Sequence, residues 1–289
     1  MMIMKLIKPI TEVIKKRTSW RTYTGEPLDR DIREKLIDLM KDNDFGSPFS
    51  EQAGKTRFEL LNIPEFDPSE KQNLGTYGTI EGAQNFIVGA IEKSEYDREH
   101  FGYILESIIL AATDLGLGTV WLGGTFNRSL FSAKINKKEN ESVPAITPVG
   151  YPAARTSKEI TIRSYAKADK RFPWEKLFFE GDFSTPLLVE SDYFTLIENV
   201  RLAPSAGNFQ PWRIVKEPTE NNFHFYILYT DDKMGKVYNI FKRLDIGIAV
   251  SHFNLSAKEL GITGKWSFEK PDISTPEDFR YVISWYGDN

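Results

Sequence analysis

Three short groups of polar residues are candidates for chemistry. Arg17, Ser19 and Arg21 alternate in the segment KKRTSWRTYTGEPL. In an extended chain, residues two apart project on the same side, so two guanidinium groups and a hydroxyl would face one way. Because arginine forks and serine hydroxyls both donate hydrogen bonds to phosphate oxygens, this spacing favours a phosphate site. A solvated basic surface has the same composition and stays open as the alternative.

The second group lies in the segment RLAPSAGNFQPWRIV, residues 201–215. Pro204 is expected to end a helix, and Gly207 permits a tight backbone turn. Ser205 and Asn208 would present polar groups from that turn. A loop so rich in donors is more typical of binding than of simple connection, although an ordinary helix-to-strand turn is the alternative.

The third group is the basic run KADKRFPWEKL, in which Lys170 and Arg171 precede Pro173. Runs of charge usually face solvent, so this group is a weaker candidate by itself. The segment GLGTVWLGG, from Gly116, superficially matches a dinucleotide fingerprint. We reject that interpretation because Trp121 replaces the third glycine and because the segment follows a helical pattern instead of a strand.

Composition narrows the functional classes. The 289 residues are 40% hydrophobic and carry a formal net charge of -4, which disfavours a nucleic-acid partner and suits small molecules. The absence of cysteine excludes disulfides, thiolate metal sites and a cysteine nucleophile. His100, His224 and His252 lack metal-ligand spacing, so no metal is expected, and no GxSxG elbow supports a serine hydrolase.

The sequence lacks the patterns of a secretory signal and of a membrane helix. Its first ten residues, MMIMKLIKPI, lack the continuous apolar core and cleavage site of a secretory signal. No apolar run reaches the roughly 18 residues that a membrane helix needs. We therefore expect a cytoplasmic protein without a membrane span.

The elements that must position the polar groups occur twice. Residues 101–121 (FGYILESIILAATDLGLGTVW) match residues 246–266 (IGIAVSHFNLSAKELGITGKW) at a separation of 145, as in 247 − 102 = 145. The identical pairs are Gly102 with Gly247, Ala112 with Ala257, Leu115 with Leu260, Gly116 with Gly261 and Trp121 with Trp266. Each copy has helical periodicity up to Leu-Gly, where glycine suits a left-handed cap. Each copy predicts a long core helix, a glycine stop and a following strand.

Other segments repeat more weakly. Residues 144–152 and 280–288 both have the pattern of strands, and the segment from Ser47 can be set beside the segment from Ala203. Residues 29–41 predict an amphipathic helix whose N-cap is Asp29. The layout predicts an α+β fold, and duplication followed by divergence is the simplest origin of the repeat.

The sequence resembles the nitroreductase family. RTSWRTYTGEPL (residues 17–28) is similar to that family's N-terminal Arg-x-Ser-x-Arg/Lys flavin motif, and APSAGNFQPW (residues 203–212) to its Ala-Pro-Ser-x-x-Asn-x-Gln-Pro-Trp motif. LGLGTVWLGG, AITPVGYPA and KRFPWEKL also occur in family order. The resemblance is strongest to the fused branch, the TM-type nitroreductases, and it implies a nitroreductase-like α+β fold in which two half-domains form an intramolecular pseudo-dimer. We place these halves at residues 1–180 and 181–289.

The resemblance also implies roles for residues. Arg17 and Ser19 would hold the phosphate and ribityl chain of FMN, and Arg21 would approach the pyrimidine end of the flavin. A cation there stabilises the charge that develops near N1 and O2 on reduction. Gly123 and Gly124 match the segment at the ring edge, where a backbone N–H would bond N5, so with Arg21 they are the candidate catalytic residues. The full predicted cofactor-binding set is Arg17, Thr18, Ser19, Arg21, Leu122, Gly123, Gly124, Lys170, Arg171, Pro204, Ser205 and Asn208.

Only one complete pair of motifs is present. The first half has PFSEQAGKT in place of the Pro-Ser loop, and the second half has FFEGDFSTPL in place of the Arg-Ser motif. We therefore expect one FMN per chain, contacted by both halves, and a monomer, because the family's dimer is fused. Trp20, Tyr23, Phe209 and Trp212 would shape an acceptor pocket or belong to the core.

The implied reaction takes electrons from NAD(P)H through FMN to a small aromatic nitro or quinone-like acceptor. Two alternatives stay open. One keeps the flavin but changes the reaction, as in dehalogenase-like or flavin-cleaving relatives. The other is a non-catalytic pseudo-dimer that binds flavin or another ligand.

Overall fold

The computed structural model describes residues 6–41, 45–188, 193–229 and 233–288. The chain divides into two compact units, which interleave along the sequence. Unit 1 comprises Met1–Lys8 and Lys15–Asp169, and unit 2 comprises Pro9–Ile14 and Lys170–Asn289. The predicted boundary between related halves, after residue 180, concerns their origin and stays a prediction.

Unit 1 is built on a five-stranded sheet. Its strands are β1 (Thr56–Asn62), β2 (Asn85–Glu92), β3 (Gly118–Thr119), β4 (Glu141–Ser142) and β5 (Ile146–Gly150). The order is β1-β2-β5-β3, β4 pairs with β2, and every pairing is antiparallel. In β2 the run NFIVGAI is buried throughout, as expected of a central strand covered on both faces.

The part of the chain up to Tyr165 also contains helices and one 3₁₀ turn. The helices are α1 (Ile10–Lys16), most of which belongs to unit 2, then α2 (Arg30–Lys41), α3 (Pro68–Gln72), α4 (Asp97–Asp114), α5 (Arg128–Lys134) and α6 (Ser157–Tyr165), and the turn is Ile63–Glu65. Every residue of α4 except the half-buried Arg98 is buried, so its predicted place in the core is confirmed. One face of the sheet packs an aromatic cluster in which Phe131 contacts Phe66, Phe86 and Phe126.

Unit 2 contains a second five-stranded sheet. Its strands are β6 (Phe178–Glu180), β7 (Trp212–Lys216), β8 (Asn222–Leu228), β9 (Gly264–Ser267) and β10 (Phe279–Gly287), in the order β6-β7-β8-β10-β9. Only the β6–β7 pairing is parallel. The helices are α7 (Phe194–Arg201) and α8 (Lys233–Glu259), with 3₁₀ turns at Trp174–Lys176 and Ala206–Asn208.

The predicted repeat is visible in the topology. The order β1-β2-β5-β3 in unit 1 matches β7-β8-β10-β9 in unit 2, and a long helix precedes the last strand of each series. Gly116 (φ 84°) and Gly261 (φ 69°) both adopt the left-handed conformation after these helices. The following amides close the same cap, from Leu117 to the carbonyl of Ala112 and from Ile262 to that of Ala257, both at 2.9 Å. The predicted glycine stops, strands and α+β class are confirmed.

The acidic residues that end the two long helices have equivalent roles. Asp114 and Glu259 are 145 positions apart (259 − 114 = 145). In unit 1, Asp114 accepts the backbone N–H of Lys8 at 3.2 Å, and in unit 2, Glu259 accepts that of Ile10 at 2.6 Å. Asn199 in unit 2 also donates to the Thr11 hydroxyl at 2.9 Å. These contacts fix the segment that leads into and forms α1.

Within the described residues, no helix is both long enough and apolar enough to cross a membrane.

Candidate active site

The segment that contains Arg17, Ser19 and Arg21 is extended, as its alternating pattern predicts. Ser19 pairs with Thr119 of β3, and the Trp20 amide donates to the Thr119 carbonyl at 2.8 Å. Further along, Tyr23 pairs with Pro152. The motif is therefore fixed beside the short strand that leads to Leu122, Gly123 and Gly124.

Arg17 is a buried cation with spare hydrogen-bonding capacity. Its side chain is only 6% exposed, and its Nε lies 3.9 Å from Oε1 of the fully buried Glu106. Glu106 also accepts a 2.7 Å hydrogen bond from Trp121 Nε1. The Arg17 Nε makes no hydrogen bond within the described part of the protein. Burial and the neighbouring Arg163 both lower the pKa of Arg17, whereas Glu106 opposes them.

A row of charged residues at and before α6 holds the motif in place. Arg155, Glu159 and Arg163 are spaced four apart and so lie along one face. Arg163 Nη1 donates to the Thr18 hydroxyl and to the Ser19 carbonyl, both at 3.0 Å. Arg155 also reaches the Thr18 hydroxyl, at 3.3 Å, and forms a 3.1 Å ion pair with Glu159. Sequence reasoning missed this row, although its spacing was a usable signal.

Arg21 has different partners from Arg17. Its Nη1 lies 3.5 Å from the Thr79 hydroxyl, and its carbonyl accepts the Glu81 amide at 2.9 Å. The Tyr23 amide donates back to the Glu81 carbonyl at 2.9 Å, so the loop before β2 and the motif are bound together. Burial lowers the pKa of Arg21, but a guanidinium keeps its proton in proteins. Arg21 is therefore a fixed positive charge.

The segment Leu122, Gly123 and Gly124 offers backbone donors. Leu122 exchanges hydrogen bonds with Ile146, at 2.9 and 3.0 Å, which anchors the start of the segment. Arg128 Nη2 donates to the Gly123 carbonyl at 2.7 Å and fixes its peptide orientation. Among the contacts of the described residues, neither the Gly123 nor the Gly124 amide donates to a protein acceptor. These two N–H groups are thus available to a ligand.

In unit 2, the Pro-Ser loop is a strained turn. Gly207, Asn208 and Gln210 all have positive φ, at 55°, 59° and 47°. The Gln210 amide donates to the Ser205 hydroxyl at 2.9 Å, and the Ala206 amide donates to Asp245 Oδ1 of α8 at 3.0 Å. Left-handed conformations at non-glycine residues are concentrated at functional sites, where the surrounding structure enforces them.

The basic run contacts this loop, an association that its charge pattern alone did not indicate. Asn208 Nδ2 donates to the Lys170 carbonyl at 3.0 Å, and Arg171 Nη1 lies 3.4 Å from Asn208 Oδ1. The Phe172 amide donates to Gln210 Oε1 at 2.8 Å. Unit 2 therefore brings Lys170 and Arg171 together with Ser205 and Asn208. That this group and the Arg17 group serve one flavin stays a prediction.

The aromatic candidates differ in exposure, whereas the three histidines are all buried. Trp212 and Tyr23 are core residues, whereas Phe209 is 45% exposed. Trp20 lies under the Arg155 guanidinium, 4.0 Å from its ring centre. The three histidines are buried and hydrogen-bonded, namely His100 to Ser47, His224 to Ser284 and Glu217, and His252 to the Asn199 carbonyl. In the described ranges, no group of three or more metal-ligating side chains is assembled.

Comparison with known proteins places the chain in a family. The family model described as "Putative TM nitroreductase" matches residues 9–257. No curated protein matches the sequence. The structure is similar to that of a "putative nitroreductase" from Thermotoga maritima MSB8, with 19% identity, a TM-score of 0.55, and coverage of 96% of this chain and 94% of that one.

Two other solved structures match about half of the chain. An FMN-dependent nitroreductase from Clostridium difficile R20291 is 21% identical over 50% of this chain and 88% of its own, with a TM-score of 0.41. A nitroreductase with bound FMN from Desulfitobacterium hafniense DCB-2 is 19% identical over 52% and 93%, with a TM-score of 0.40. With a family model that matches most of its length, the chain belongs to the TM-type branch of the nitroreductase family of oxidoreductases and has the nitroreductase-like α+β fold.

Proposed function

We propose that the protein is an FMN-dependent oxidoreductase that oxidises NAD(P)H and reduces a small aromatic nitro compound or quinone. Family membership supports redox chemistry. One observation carries the choice of cofactor: the buried Arg17 has an Nε–H that makes no hydrogen bond within the described protein, and it lies beside a second guanidinium. Desolvated cations with a spare donor fit a phosphate, which supplies negative charge and acceptor oxygens together.

The residues of unit 1 take distinct roles in this proposal. Arg17, Thr18 and Ser19 bind the phosphate and ribityl end, where the segment is already held by β3 and α6. Arg21 supplies a fixed positive charge to the pyrimidine end. The Gly123 and Gly124 amides, which donate to no acceptor among the described residues, are the donors for the ring edge.

Bound FMN supplies the two-electron transfer that side chains alone lack. In the complete reaction, NAD(P)H loses a hydride to become NAD(P)⁺, and the acceptor gains two electrons and two protons, one of them from solvent. A quinone thereby becomes a hydroquinone. The described residues contribute binding and a fixed charge, and none of the three buried histidines is needed as an acid or base.

The contribution of unit 2 follows from the family resemblance. We propose that Pro204, Ser205 and Asn208, with Lys170 and Arg171, contact the same FMN, that one FMN is bound per chain, and that the two related halves stand in for the family's dimer. The contacts that tie Asn208 to Lys170 and Arg171 support a common role for these residues.

The first test is the amount of flavin per chain, measured by releasing it from protein purified with added FMN. We expect about one FMN per chain, as the single complete motif pair requires. Arg17→Gln should lose flavin, whereas Arg30→Gln, which removes an exposed arginine of α2, should not. The double variant Arg17→Gln/Glu106→Gln removes both charges of the buried pair, so its loss of flavin would not reflect an unpaired carboxylate.

The reaction is tested separately, by anaerobic NADH and NADPH oxidation with nitroaromatic and quinone acceptors. Turnover with either donor supports the proposal. Full flavin occupancy without oxidation of either nucleotide would contradict it and would favour another flavin reaction. Absence of bound flavin in the wild-type protein would contradict the cofactor assignment itself.

A further inference from the structure

Arg163 of α6 is placed like a ligand-binding residue, although no sequence motif includes it. Its Nη1 contacts both Thr18 and Ser19, and its side chain is only 10% exposed. Its Nη2 forms an ion pair with Asp169. The guanidinium thus lies at the motif that we propose binds the FMN phosphate.

The two partners of this ion pair differ greatly in exposure. The Asp169 side chain is 79% exposed, against 10% for Arg163. Such an ion pair stabilises an exposed carboxylate only slightly, because water already solvates the carboxylate and salt screens the attraction. A largely desolvated guanidinium, in contrast, requires an anionic partner. Replacing Asp169 by another anion therefore requires little free energy, as long as Arg163 still has an anionic partner.

The neighbourhood also favours a stronger anion than a single carboxylate. Arg163 lies close enough to lower the pKa of Arg17, whose Nε makes no hydrogen bond to the described residues. Glu106, the carboxylate near Arg17, is already engaged by Trp121. A phosphate carries up to two negative charges and three terminal oxygens, so it can serve both guanidinium groups where Asp169 serves one.

We infer that Arg163 is a further ligand of the flavin phosphate and that Asp169 occupies its Nη2 until the phosphate binds. This inference rests on the proposed function, because it takes FMN as the ligand. It adds that the protein selects FMN over riboflavin through Arg163, and that Asp169 competes with the phosphate.

The test compares the affinities of the flavin-free protein for FMN and for riboflavin, which lacks the phosphate, by quenching of flavin fluorescence. Arg163→Ala should weaken FMN binding about 10- to 100-fold, the usual effect of losing a charge-assisted hydrogen bond, and should leave riboflavin binding nearly unchanged. Arg163→Lys should recover only part of the loss, because an ammonium lacks the planar fork.

Asp169→Asn tests whether Asp169 competes with the phosphate, since it removes the competing charge and leaves Arg163 in place. We expect FMN to bind up to about 5-fold more tightly, the range of a modest surface ion pair, with no change for riboflavin. The matched controls are Arg30→Ala and Glu34→Gln, which alter an exposed ion pair of α2. Neither control should change the ratio of the two affinities.

The outcomes separate the inference from the function on which it rests. If the wild-type protein binds no FMN, the proposed function fails. If it binds FMN but Arg163→Ala weakens FMN and riboflavin equally, Arg163 only positions Thr18 and Ser19, and the inference is overturned. If Asp169→Asn leaves the FMN affinity unchanged or reduces it, the competing role of Asp169 is overturned.

Discussion

Replacement of Asp245 by asparagine should change how the stability of the protein depends on pH. Asp245 is a residue of α8, 3% exposed, whose Oδ1 accepts the Ala206 amide while Oδ2 has no partner among the described residues. Burial raises its pKa from an ordinary value of 3.8 to about 8, and the Ala206 hydrogen bond and Lys242 only partly oppose this. The carboxyl is therefore protonated in the folded protein at neutral pH.

The sign and size of the effect follow from proton linkage. Between the two pKa values the unfolded chain binds fewer protons at this site than the folded protein, so stability falls as the pH rises from about 4 to about 8 and levels off above. Within that window, each pH unit lowers the free energy of unfolding by about 1.4 kcal/mol, so at pH 7 it is lower by on the order of 4 kcal/mol than at pH 4. Asparagine keeps the Oδ1 acceptor but does not ionise, so this loss disappears.

The assay is urea denaturation of both proteins at pH 5, 6 and 7. Over this range, the free energy of unfolding of the wild-type protein should fall by about 1.4 kcal/mol per pH unit more than that of Asp245→Asn. Asp272→Asn, at an exposed residue, controls for the change in net charge. Parallel pH profiles for the wild-type protein and Asp245→Asn would refute the reasoning, whatever the absolute stability of the variant.

Three further substitutions test the packing and the loop. Trp121→Phe removes the 2.7 Å hydrogen bond to the buried Glu106 and should lower the free energy of unfolding by about 1–3 kcal/mol, measured in urea. Gly89→Ala would place a Cβ 2.3 Å from the Phe58 ring in the core, so the Tm should fall by several degrees, as overpacking typically costs about 1–3 kcal/mol. Gly207→Ala places a side chain at φ 55° and within 2.6 Å of the Phe209 ring. This variant should bind FMN more weakly, and its Tm should fall only slightly. An unchanged free energy of unfolding for Trp121→Phe, an unchanged Tm for Gly89→Ala or an unchanged FMN affinity for Gly207→Ala would contradict the corresponding expectation.

Local patterns predicted much of the fold. The sequence predicted the helices that end shortly before Gly116 and Gly261, and the strands that follow them, because helical periodicity and the glycine cap are properties of neighbouring residues. The extended conformation around Ser19 was readable for the same reason. The edge strand β6 was not predicted, because its parallel pairing depends on the distant strand β7.

The site was harder to predict, because its contacts join residues far apart in sequence. Arg163 and Thr18 are 145 positions apart, and charged residues such as those of α6 usually face solvent. The association of Arg171 with Asn208, 37 positions away, also depends on tertiary structure. Sequence motifs identified the backbone segments of the candidate site, whereas the supporting row on α6 required three-dimensional information.

The placement of α1 has a consequence for protein synthesis. Ile10, Val13 and Ile14 are buried and belong to unit 2, and Ile10 contacts Glu259, which lies 249 positions later. During translation, α1 leaves the ribosome long before its partners in α8 exist. Unit 2 therefore completes its core only after α8 has been synthesised, and so distant a contact is expected to form slowly. Until then, the apolar face of α1 lacks this cover, and apolar surface that is exposed in this way favours aggregation.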